Sequence, residues 1–511
     1  MFAREPERIL RYNGKYDKKQ EVFSMSYAPL QNGSDIRGVA LEGVPGEDVT
    51  LTNRAVFDLC GAFARWLKKQ LGKDRVKIAL GHDSRLSADL LMKAAMDGLV
   101  FQGCDVLDCG LASTPSMFMA CIFDEFDADG AIMITASHLP WNRNGLKFFD
   151  KGGGLDGHDI RKIIELADEP RQLGAPGGSV TKADLMSVYS RHLIHIIKEG
   201  VQAENYDKPL EDLHIVVDAG NGAGGFYATK VLEPLGANVT GSQFLDPDGH
   251  FPNHIPNPEN KEAMASIARA VTDNEADLGI IFDTDVDRSA AVDENGRPIA
   301  RNAIVALASA IAAEDHPGMT VVTDSVTSDE LNEFLEEKGI HQLRFRRGYK
   351  NVIDKAKELN AQGVDAPLAI ETSGHAAFRE NHFLDDGAYL AARIIIQSAK
   401  SSISDLISDL GAPLEEKEVR YAVTSPEAGQ DAIAALKAYA NDREYIVPAN
   451  ENYEGIRLNF DADHGDGWLL LRGSLHDPVL VANFESNTEG GTSLMENELG
   501  AFLETLPGVE I

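Results

Sequence analysis

A seryl hydroxyl beside an imidazole is the first candidate for chemistry in this chain. The stretch ITASHLPWNRNGLKFFD, residues 134–150, contains Ser137 and His138, and Lys147 lies further along it. The stretch lacks the GxSxG sequence of a nucleophile elbow, and adjacent residues on an extended chain point in opposite directions. We therefore expect His138 to be poorly placed as a base for Ser137, which argues against a serine hydrolase.

Three carboxylates at alternate positions form the second candidate. The sequence DTDVDR brings Asp283, Asp285 and Asp287 directly after the apolar run LGIIF. Such a cluster beside a buried strand needs a cation, and carboxylate oxygens favour Mg²⁺ or Ca²⁺. An EF-hand is disfavoured because Arg288 stands where the sharp turn needs glycine, although Glu294 fits the last ligand position. A divalent-cation loop at a strand end is the favoured interpretation, and a solvated acidic turn is the alternative.

A third loop carries polar groups that suit a sugar. In the sequence ETSGH, the carboxylate of Glu371 and the hydroxyl of Ser373 are suited to binding sugar hydroxyls. His375 is suited to moving protons near neutral pH. The alternative is a polar turn that leads into a helix whose N-cap is Asp385 or Asp386.

A fourth loop has the composition of a phosphate-binding site. The sequence LRGSLHDP combines Arg472, Ser474 and His476 ahead of a proline. A guanidinium group, a hydroxyl and backbone N–H groups together commonly bind a phosphate dianion. An ordinary turn remains the alternative interpretation of this loop.

A glycine-rich turn raises the possibility of a dinucleotide site. DAGNGAGG, residues 218–225, satisfies the GxGxxG pattern between a predicted strand and a predicted helix, and Asp246 follows at a suitable distance. A lone GxGxxG pattern is weak, because glycines also permit a tight turn between strand and helix. We favour the tight turn.

Repeated local units must position these loops. Apolar strands, turns that contain aspartate and amphipathic helices alternate, as in VKIALGHDSRLSADLLMKAAM, LHIVVDAGNGAGGFYATKVL and MTVVTDSVTSDELNEFL. Such alternation predicts α/β layers whose strands are buried on both faces. The C-terminal part reads as a smaller α+β unit, with strands at GIRLNF and WLLLRG and a helix at about 490–505. The predicted domains are residues 1–200, 201–300, 301–412 and 413–511.

Composition limits the class of partner. The chain has 511 residues, 43 % of them hydrophobic, and a formal net charge of −33. This charge argues against nucleic acid and membrane surfaces as partners. The four cysteines lack CxxC spacing, and the N-terminal residues lack the apolar stretch of a signal peptide. These features predict a cytoplasmic protein.

Taken in order, these stretches resemble the α-D-phosphohexomutase family, which includes phosphoglucomutase, phosphomannomutase and phosphoglucosamine mutase. TASHLPWNRNGLK is similar to the family's phosphoserine loop, DTDVDR to its metal loop, ETSGH to its sugar loop and RGSLHDP to its phosphate loop. GSDIRGVA, LGHDSRLSA and DPDGHFPNHIPNPEN resemble three further segments of the family. The resemblance implies an α/β fold with four domains around a central cleft, in which three similar α/β domains precede a smaller α+β domain.

The resemblance also implies roles for individual residues. Ser137 would carry the phosphoryl group, and Lys147 and His375 are the acid/base candidates. The full set of implied catalytic residues is Ser137, Lys147, His375, Arg37, Arg288 and His138. The implied ligands of Mg²⁺ are Ser137, through a phosphoserine oxygen, Asp283, Asp285 and Asp287. The implied substrate-binding residues are Glu371, Ser373, Gly348, Lys350, Arg472, Ser474 and His476.

The chain departs from the family pattern at several positions. Leu475 and His476 stand where the phosphate loop usually has Gly or Asn followed by Thr. Thr372 occupies a position that helps to sort substrates, and Arg347 departs from the TGxK or VGxK pattern. The Gly-Tyr-Lys that follows Arg347 nevertheless resembles the glucose-phosphate enzymes more than the glucosamine enzymes.

From the resemblance we predict a Mg²⁺-dependent phosphohexomutase that acts on glucose and/or mannose phosphates. The reaction would pass through a phosphoserine and a sugar 1,6-bisphosphate, which also serves as activator. Phosphoglucosamine mutase is the nearest alternative. A dinucleotide-dependent enzyme and a phosphosugar-binding protein without turnover are alternatives of other classes. A phosphorylated hexose is the expected partner of a monomer or homodimer.

Overall fold

The computed structural model describes residues 26–170, 177–474 and 479–510, which form four sheets with helices packed against them. We call the units built around these sheets domains I to IV. This architecture confirms the predicted α/β class with a C-terminal sheet domain, whereas the exact domain boundaries stay a prediction. No helix among the described residues is long and apolar enough to cross a membrane.

Domain I contains the largest sheet, with strand order β1-β2-β6-β5-β3-β4-β8 and β7 paired to β6. Its strands are β1 Gln31–Asn32, β2 Asp35–Val39, β3 Lys77–His82, β4 Asp105–Leu111, β5 Gly130–Ile134, β6 Arg143–Asp150, β7 Gly153–Gly154 and β8 Ser179–Lys182. Its helices are α1 Asn53–Leu71, α2 Ala88–Phe101, α3 Thr114–Met119, α4 Gly157–Asp168 and α5 Leu185–Val201. All five residues of β5 are buried, as expected for an apolar strand covered on both faces.

Domains II and III have smaller sheets. Domain II contains β9 Ile215–Asp218, a π-helical turn Tyr227–Leu232, α6 Lys261–Asp273, β10 Leu278–Phe282, β11 Ser289–Asp293 and β12 Pro298–Ile299. The strands of domain III are β13 Thr320–Thr323, β14 His341–Arg344, β15 Leu368–Ile370, β16 Ala376–Phe378 and β17 Leu384–Asp385. Its helices are α7 Asn302–Asp315, α8 Asp329–Glu337, α9 Tyr349–Ala361, α10 Gly387–Ser398 and α11 Ile403–Leu406.

The first three domains share one strand topology. In domain I the order β4-β3-β5-β6 places three parallel strands beside one antiparallel strand, and domain III repeats it as β14-β13-β15-β16. Domain II has β9, β10 and β11 in the same arrangement. Its outer strand is reduced to parallel bridges from His214 to Asn238 and from Asp218 to Gln243. The three domains therefore present equivalent strand ends to the space between them.

A shared apolar core holds these three domains together. Phe118 of domain I, Phe282 of domain II and Phe378 of domain III all belong to it and are fully buried. At its centre the hydroxyl of Tyr189 donates to both carboxylate oxygens of Asp386, each at 2.7 Å. Asp386 is also the N-cap of α10 and is one of the two residues that the alternative interpretation of the ETSGH loop offered as a cap. Burial of this core fixes the loops at the strand ends relative to one another.

Domain IV is an antiparallel sheet with order β19-β20-β21-β22-β18-β23. Its elements are β18 Glu415–Val423, α12 Pro426–Asn441, β19 Ile446–Pro448, β20 Ile456–Phe460, β21 Gly467–Gly473, β22 Val479–Ser486, α13 Gly491–Leu503 and β23 Val509–Glu510. The predicted strands GIRLNF and WLLLRG are observed as β20 and β21. Arg457 joins this domain to domain III by donating to the carbonyl of Thr327 at 2.9 Å and to Asp329 at 2.8 Å.

Candidate active site

The loop after β5 places Ser137 at the centre of the molecule. Ser137 is 1 % exposed, and its φ of 51° lies in the left-handed region. Its Oγ donates to Oδ2 of Asp283 at 3.0 Å and lies 3.3 Å from Nδ1 of His138. The expectation that His138 would point away from Ser137 is wrong, because the backbone at Ser137 is not extended.

Electrostatics keep His138 neutral. Nη2 of Arg288 lies 3.1 Å from Nδ1 of His138, and this nitrogen accepts because arginine can only donate. The positive charge of Arg288, then burial, then the charge of Arg37 lower the pKa of His138 to about 2. The ring of His138 therefore carries no charge at physiological pH.

The loop between β10 and β11 gathers the three predicted metal-binding aspartates. Asp283, Asp285 and Asp287 are almost fully buried, and one oxygen from each lies within 4.8 Å of the others. The Oδ1 atoms of Asp285 and Asp287 are buried without a hydrogen-bond partner in the described parts of the chain. Burial, followed by the charges of Asp287 and Asp285, raises the pKa of Asp283 well above its usual value. Oxygen ligands, clustered charge and unpartnered lone pairs all fit a bound divalent cation.

The metal loop is neither an EF-hand nor a solvated turn. A strand enters it and a strand leaves it, whereas an EF-hand has helices on both sides. Val286, between two of the acids, has a φ of 67° and is fully buried. The loop is therefore a tight, buried connection in an antiparallel pair.

Lys147, on β6, inserts its ammonium group between two of these acids. Its Nζ lies 3.0 Å from Oδ2 of Asp285 and also forms an ion pair with Oδ2 of Asp287. Burial acts to lower the pKa of Lys147, but the charges of Asp285 and Asp287 outweigh it and raise the pKa well above the usual value. Lys147 is therefore a cation at neutral pH.

Arg288 links the metal loop to the sugar loop. Its Nε donates to Nε2 of His375 at 2.8 Å, and Nδ1 of His375 lies 2.5 Å from Oδ2 of Asp385. Because Nε2 accepts from arginine, the ring proton of a neutral His375 sits on Nδ1 and faces Asp385. Gly374 makes this approach possible, since a Cβ there would lie 2.5 Å from the carbonyl oxygen of Ser289.

The sugar loop between β15 and β16 has one acid with an unusual pKa. Oε1 of Glu371 accepts from the backbone N–H of Gly348 at 2.6 Å. Burial and then the charge of Asp324 raise the pKa of Glu371 to about 7. Oγ of Ser373, two residues along, is buried and has no hydrogen-bond partner within residues 26–170, 177–474 and 479–510. Both residues thus retain polar atoms that are able to bind hydroxyl groups.

Arginines and a lysine surround this loop. Arg347 lies 3.5 Å from Oε1 of Glu259, whose Oε2 lies 3.6 Å from Arg288. One carboxylate of domain II therefore bridges the arginine of the metal loop and the arginine beside the sugar loop. Lys350 on α9 forms an ion pair with Asp354 at 2.6 Å, rather than with a member of the Ser137 network.

Domain IV contributes the predicted phosphate loop. Arg472, at the end of β21, is 5 % exposed, and its Nε has no hydrogen-bond partner among the residues that the structure describes. Burial lowers the pKa of Arg472. The backbone N–H of Ser474 donates to the carbonyl of Val479 at 2.9 Å, which closes the loop across its base. His476 lies outside the described residues.

Arg37 completes the surroundings of Ser137. Its Nη2 forms an ion pair with Asp35 at 2.9 Å, and its Nη1 lies 3.5 Å from the carbonyl oxygen of Ala136. The Nε of Arg37 is buried without a partner. A guanidinium group with an unused donor therefore adjoins the residue before Ser137.

The glycine-rich turn after β9 has a packing role. A Cβ on Gly222 would lie 2.6 Å from the carbonyl oxygen of Thr284, in the metal loop, and a Cβ on Gly225 would clash with the carbonyl of Leu245. These contacts agree with the favoured tight turn.

Several residues of the site escaped the sequence interpretation. The sequence indicates only a capping role for Asp385, yet its carboxylate lies beside Nδ1 of His375. The ring of Tyr349 stacks on His375 with centroids 5.3 Å apart. Arg85 lies in the stretch LGHDSRLSA and Glu259 in DPDGHFPNHIPNPEN. The spacing of residues in these stretches does not indicate their contacts with distant parts of the chain.

Three protein-family models, each for one domain, match this chain. They are described as phosphoglucomutase/phosphomannomutase α/β/α domains I, II and III, and they match residues 29–173, 188–296 and 300–413. Together they cover most of the part of the chain that precedes domain IV.

Curated relatives match over nearly the whole chain. A phosphoglucomutase of Neisseria gonorrhoeae is 31 % identical over 472 residues, which are 91 % of this chain and 96 % of the relative. A phosphomannomutase/phosphoglucomutase of Pseudomonas aeruginosa is 29 % identical over 95 % of this chain and 99 % of the relative. A phosphoglucomutase/phosphomannomutase of Thermococcus kodakarensis is 32 % identical over 88 % of this chain and 94 % of the relative.

Solved structures show the same fold. A phosphoglucomutase/phosphomannomutase family protein of Burkholderia thailandensis superposes with a TM-score of 0.76 at 26 % identity, covering 94 % of this chain and 98 % of that one. The open form of the Paramecium phosphoglucomutase parafusin gives a TM-score of 0.66 at 17 % identity, covering 94 % and 95 %. The latter, at this low identity, bears on the fold alone.

Proposed function

Because the chain belongs to the phosphoglucomutase/phosphomannomutase family, we propose that it interconverts the 1- and 6-phosphates of glucose and/or mannose. The chain is a hexose-phosphate mutase, and the sugar is the proposed part. The single observation that carries the proposal is the contact of Ser137 Oγ with Asp283, which joins the hydroxyl to the metal loop.

Ser137 is the proposed carrier of the phosphoryl group. Phosphoryl transfer depends mainly on positioning and on neutralising negative charge. Lys147, Arg288 and Arg37 supply positive charge around Ser137, and the neutral ring of His138 adds a polar contact without further charge. In the first step the Oγ–phosphorus bond breaks, the phosphoryl group passes to a free sugar hydroxyl whose proton goes to a base of the site, and Oγ of Ser137 regains a proton from an acid of the site.

Mg²⁺ is the proposed metal. Asp283, Asp285, Asp287 and an oxygen of phosphorylated Ser137 would hold it, and the buried unpartnered Oδ1 atoms described above support this set. When bound, the ion would offset negative charge on the transferred phosphoryl group. Lys147 and His375 are the proposed acid and base, because the first is held as a cation and the proton of a neutral His375 sits on Nδ1 beside Asp385, which leaves Nε2 as the accepting nitrogen.

The distal end of the substrate is proposed to bind across domains III and IV. Glu371 and Ser373 would bind sugar hydroxyls, with Gly348 holding the Glu371 carboxylate in place and Lys350 at the start of α9. Arg472 and Ser474, with His476, would bind the phosphate that does not react. A bisphosphate formed at Ser137 would turn round and return its other phosphate, so a sugar 1,6-bisphosphate would also act as activator.

A substrate panel with a bisphosphate activator tests the proposal. Hexose 1-phosphates of glucose, mannose and glucosamine are each supplied with Mg²⁺, and the 6-phosphate formed is measured. If the glucosamine phosphate is turned over fastest, the protein is a phosphoglucosamine mutase. If no isotope exchanges between the 1- and 6-phosphates of any sugar, the protein binds phosphosugars without turning them over. An absorbance change on titration with NAD would indicate a dinucleotide-dependent enzyme.

The proposed compartment is the cytoplasm. All four cysteines are free thiols, and none is exposed, which suits a reducing environment. The proposed assembly is a monomer or a homodimer, and light scattering at several concentrations distinguishes the two.

A further inference from the structure

Arg85, at the carboxyl end of β3, lies outside every role assigned above. It is among the largest fully buried side chains of the described residues, and its side chain has no exposed surface. A buried guanidinium group is costly unless its donors are satisfied. The hydrogen-bond partners of the Arg85 guanidinium group therefore indicate its role.

Those partners are the backbone carbonyls of the Ser137 loop. Nη1 of Arg85 donates to the carbonyl oxygens of Pro140 at 2.8 Å and Arg143 at 2.9 Å. Nη2 donates to the carbonyl of Leu139 at 2.6 Å and to that of Ser137 itself. One guanidinium group thus binds four carbonyls, that of the reactive residue and three that follow it in the loop.

A second set of contacts fixes the same loop from the other end. Nε of Arg85 lies 3.3 Å from Oδ2 of Asp83, which accepts from the hydroxyl of Thr135 at 2.7 Å. Oγ1 of Thr135 in turn accepts from the backbone N–H of Ser137 at 2.9 Å. The carbonyl and the N–H of Ser137 are therefore both held by one closed network around Arg85.

The backbone at Ser137 needs such support. A φ of 51° is unfavourable for a residue other than glycine and persists only where the surroundings impose it. Domain II packs against this network. The ring of Phe251 lies 5.4 Å from the Arg85 guanidinium carbon, and Gly249 packs against the backbone at Leu86.

We propose that Arg85 is a positioning residue that fixes the Ser137 backbone in its left-handed conformation and so aims Oγ at the metal loop. The proposal rests on the phosphoryl-carrier role of Ser137 proposed above. The Arg85 side chain has no exposed surface that a substrate could reach, so its loss lowers the rate of phosphoryl transfer rather than substrate affinity. An error of about 1 Å in such a position costs roughly 100-fold in rate.

Arg85→Lys and Arg85→Ala test this inference. Arg85→Lys keeps the charge but supplies fewer donors in another geometry, and we expect kcat to fall roughly 10- to 100-fold while KM stays within about twofold. Adding guanidinium ion to Arg85→Ala restores part of kcat, whereas methylammonium does not. Hydrogen exchange of residues 136–143 becomes faster in both variants, while that of residues 278–293 does not change.

Arg65→Lys is the matched control in the same domain. Arg65 also donates to a backbone carbonyl, that of Leu166, but it contacts no part of the Ser137 loop. Its kcat stays within about twofold of wild type, as is usual for substitutions away from the site. Wild-type kcat retained in folded Arg85→Lys, or a rise in KM alone, overturns the inference. Full activity of Ser137→Ala would instead overturn the carrier role, so the two failures are distinguishable.

Discussion

Ser137 Oγ and Asp283 Oδ2 lie 3.0 Å apart although 146 positions separate them in the sequence. The contact brings together the loop after β5 of domain I and the loop after β10 of domain II. Both loops follow the third strand of the shared topology, so equivalent ends of two similar sheets face each other. The proposed phosphoryl carrier and the proposed metal site are therefore assembled by repetition of one fold.

Replacing Ser137 by alanine should abolish turnover. The variant lacks the only atom proposed to carry the phosphoryl group, so mutase activity should fall to background while the melting temperature changes little. Steady-state assay and intact-mass measurement after incubation with a sugar 1,6-bisphosphate check this. Ser190→Ala removes another buried hydroxyl, which donates to a helical carbonyl in domain I, and should remain active. Normal turnover in Ser137→Ala would remove the carrier role.

Replacing Asp285 by asparagine should weaken metal binding. Its Oδ1 is one of the unpartnered buried oxygens, and loss of one negative charge from the cluster lowers the attraction for a divalent cation. We expect the Mg²⁺ concentration for half-maximal rate to rise by at least about tenfold, or about 1.4 kcal/mol. Asp293→Asn, at the far end of β11, is the control. An unchanged Mg²⁺ dependence would contradict the assignment of the loop.

The pH dependence of substrate affinity should report on Glu371. Its pKa of about 7 means that the carboxylate, which accepts hydrogen bonds from sugar hydroxyls, is lost as pH falls below 7. KM should therefore rise between pH 7 and pH 6 in the wild type. The substrate phosphate also titrates near pH 6, so Glu371→Gln supplies the reference. If both proteins show the same KM profile, Glu371 does not govern binding.

Replacing Arg472 by methionine should raise KM. The buried guanidinium group with an unused Nε donor is the proposed ligand of the phosphate that does not react, and a neutral side chain of similar length removes that charge. We expect KM to increase by about tenfold or more, consistent with loss of one charge-assisted hydrogen bond. Arg420→Met, an exposed arginine of domain IV, should leave KM unchanged. Equal effects of the two substitutions would point to general electrostatics.

Replacing Gly222 by alanine should disturb the metal loop through packing alone. The new Cβ would lie 2.6 Å from the carbonyl oxygen of Thr284, so the loop must shift. Overpacking of this kind costs about 1–3 kcal/mol of the free energy of unfolding. Urea denaturation measures that loss, and Mg²⁺ titration measures its effect on the site. Gly500→Ala, where a Cβ meets open space on α13, is the control.

The sequence predicted the loops better than it predicted their geometry. Asp283, Asp285 and Glu371 follow apolar strands, and the alternation of strands with helices places such loops at one edge of each sheet. Their local composition therefore predicted the fold class, which is confirmed, and the chemistry of the loops, which stays a prediction.

What it could not predict depends on contacts across long distances in the chain. The left-handed backbone of Ser137 places His138 within reach of Oγ, which an extended chain would not. The role of Asp385 appears only when β17 lies beside His375, and that of Glu259 only when domains II and III meet. Such pairings arise from tertiary packing, which leaves no local pattern in the residues themselves.

The near-complete burial of Ser137 has a consequence for the lifetime of the proposed phosphate ester. Bulk water that reached a phosphorylated side chain there would be a competing nucleophile, and the enclosure denies it access. The modified protein can consequently persist between encounters with successive sugars. The site around Ser137 must also open for each new sugar molecule. Higher solvent viscosity should therefore slow the catalytic cycle if this opening is the rate-limiting step.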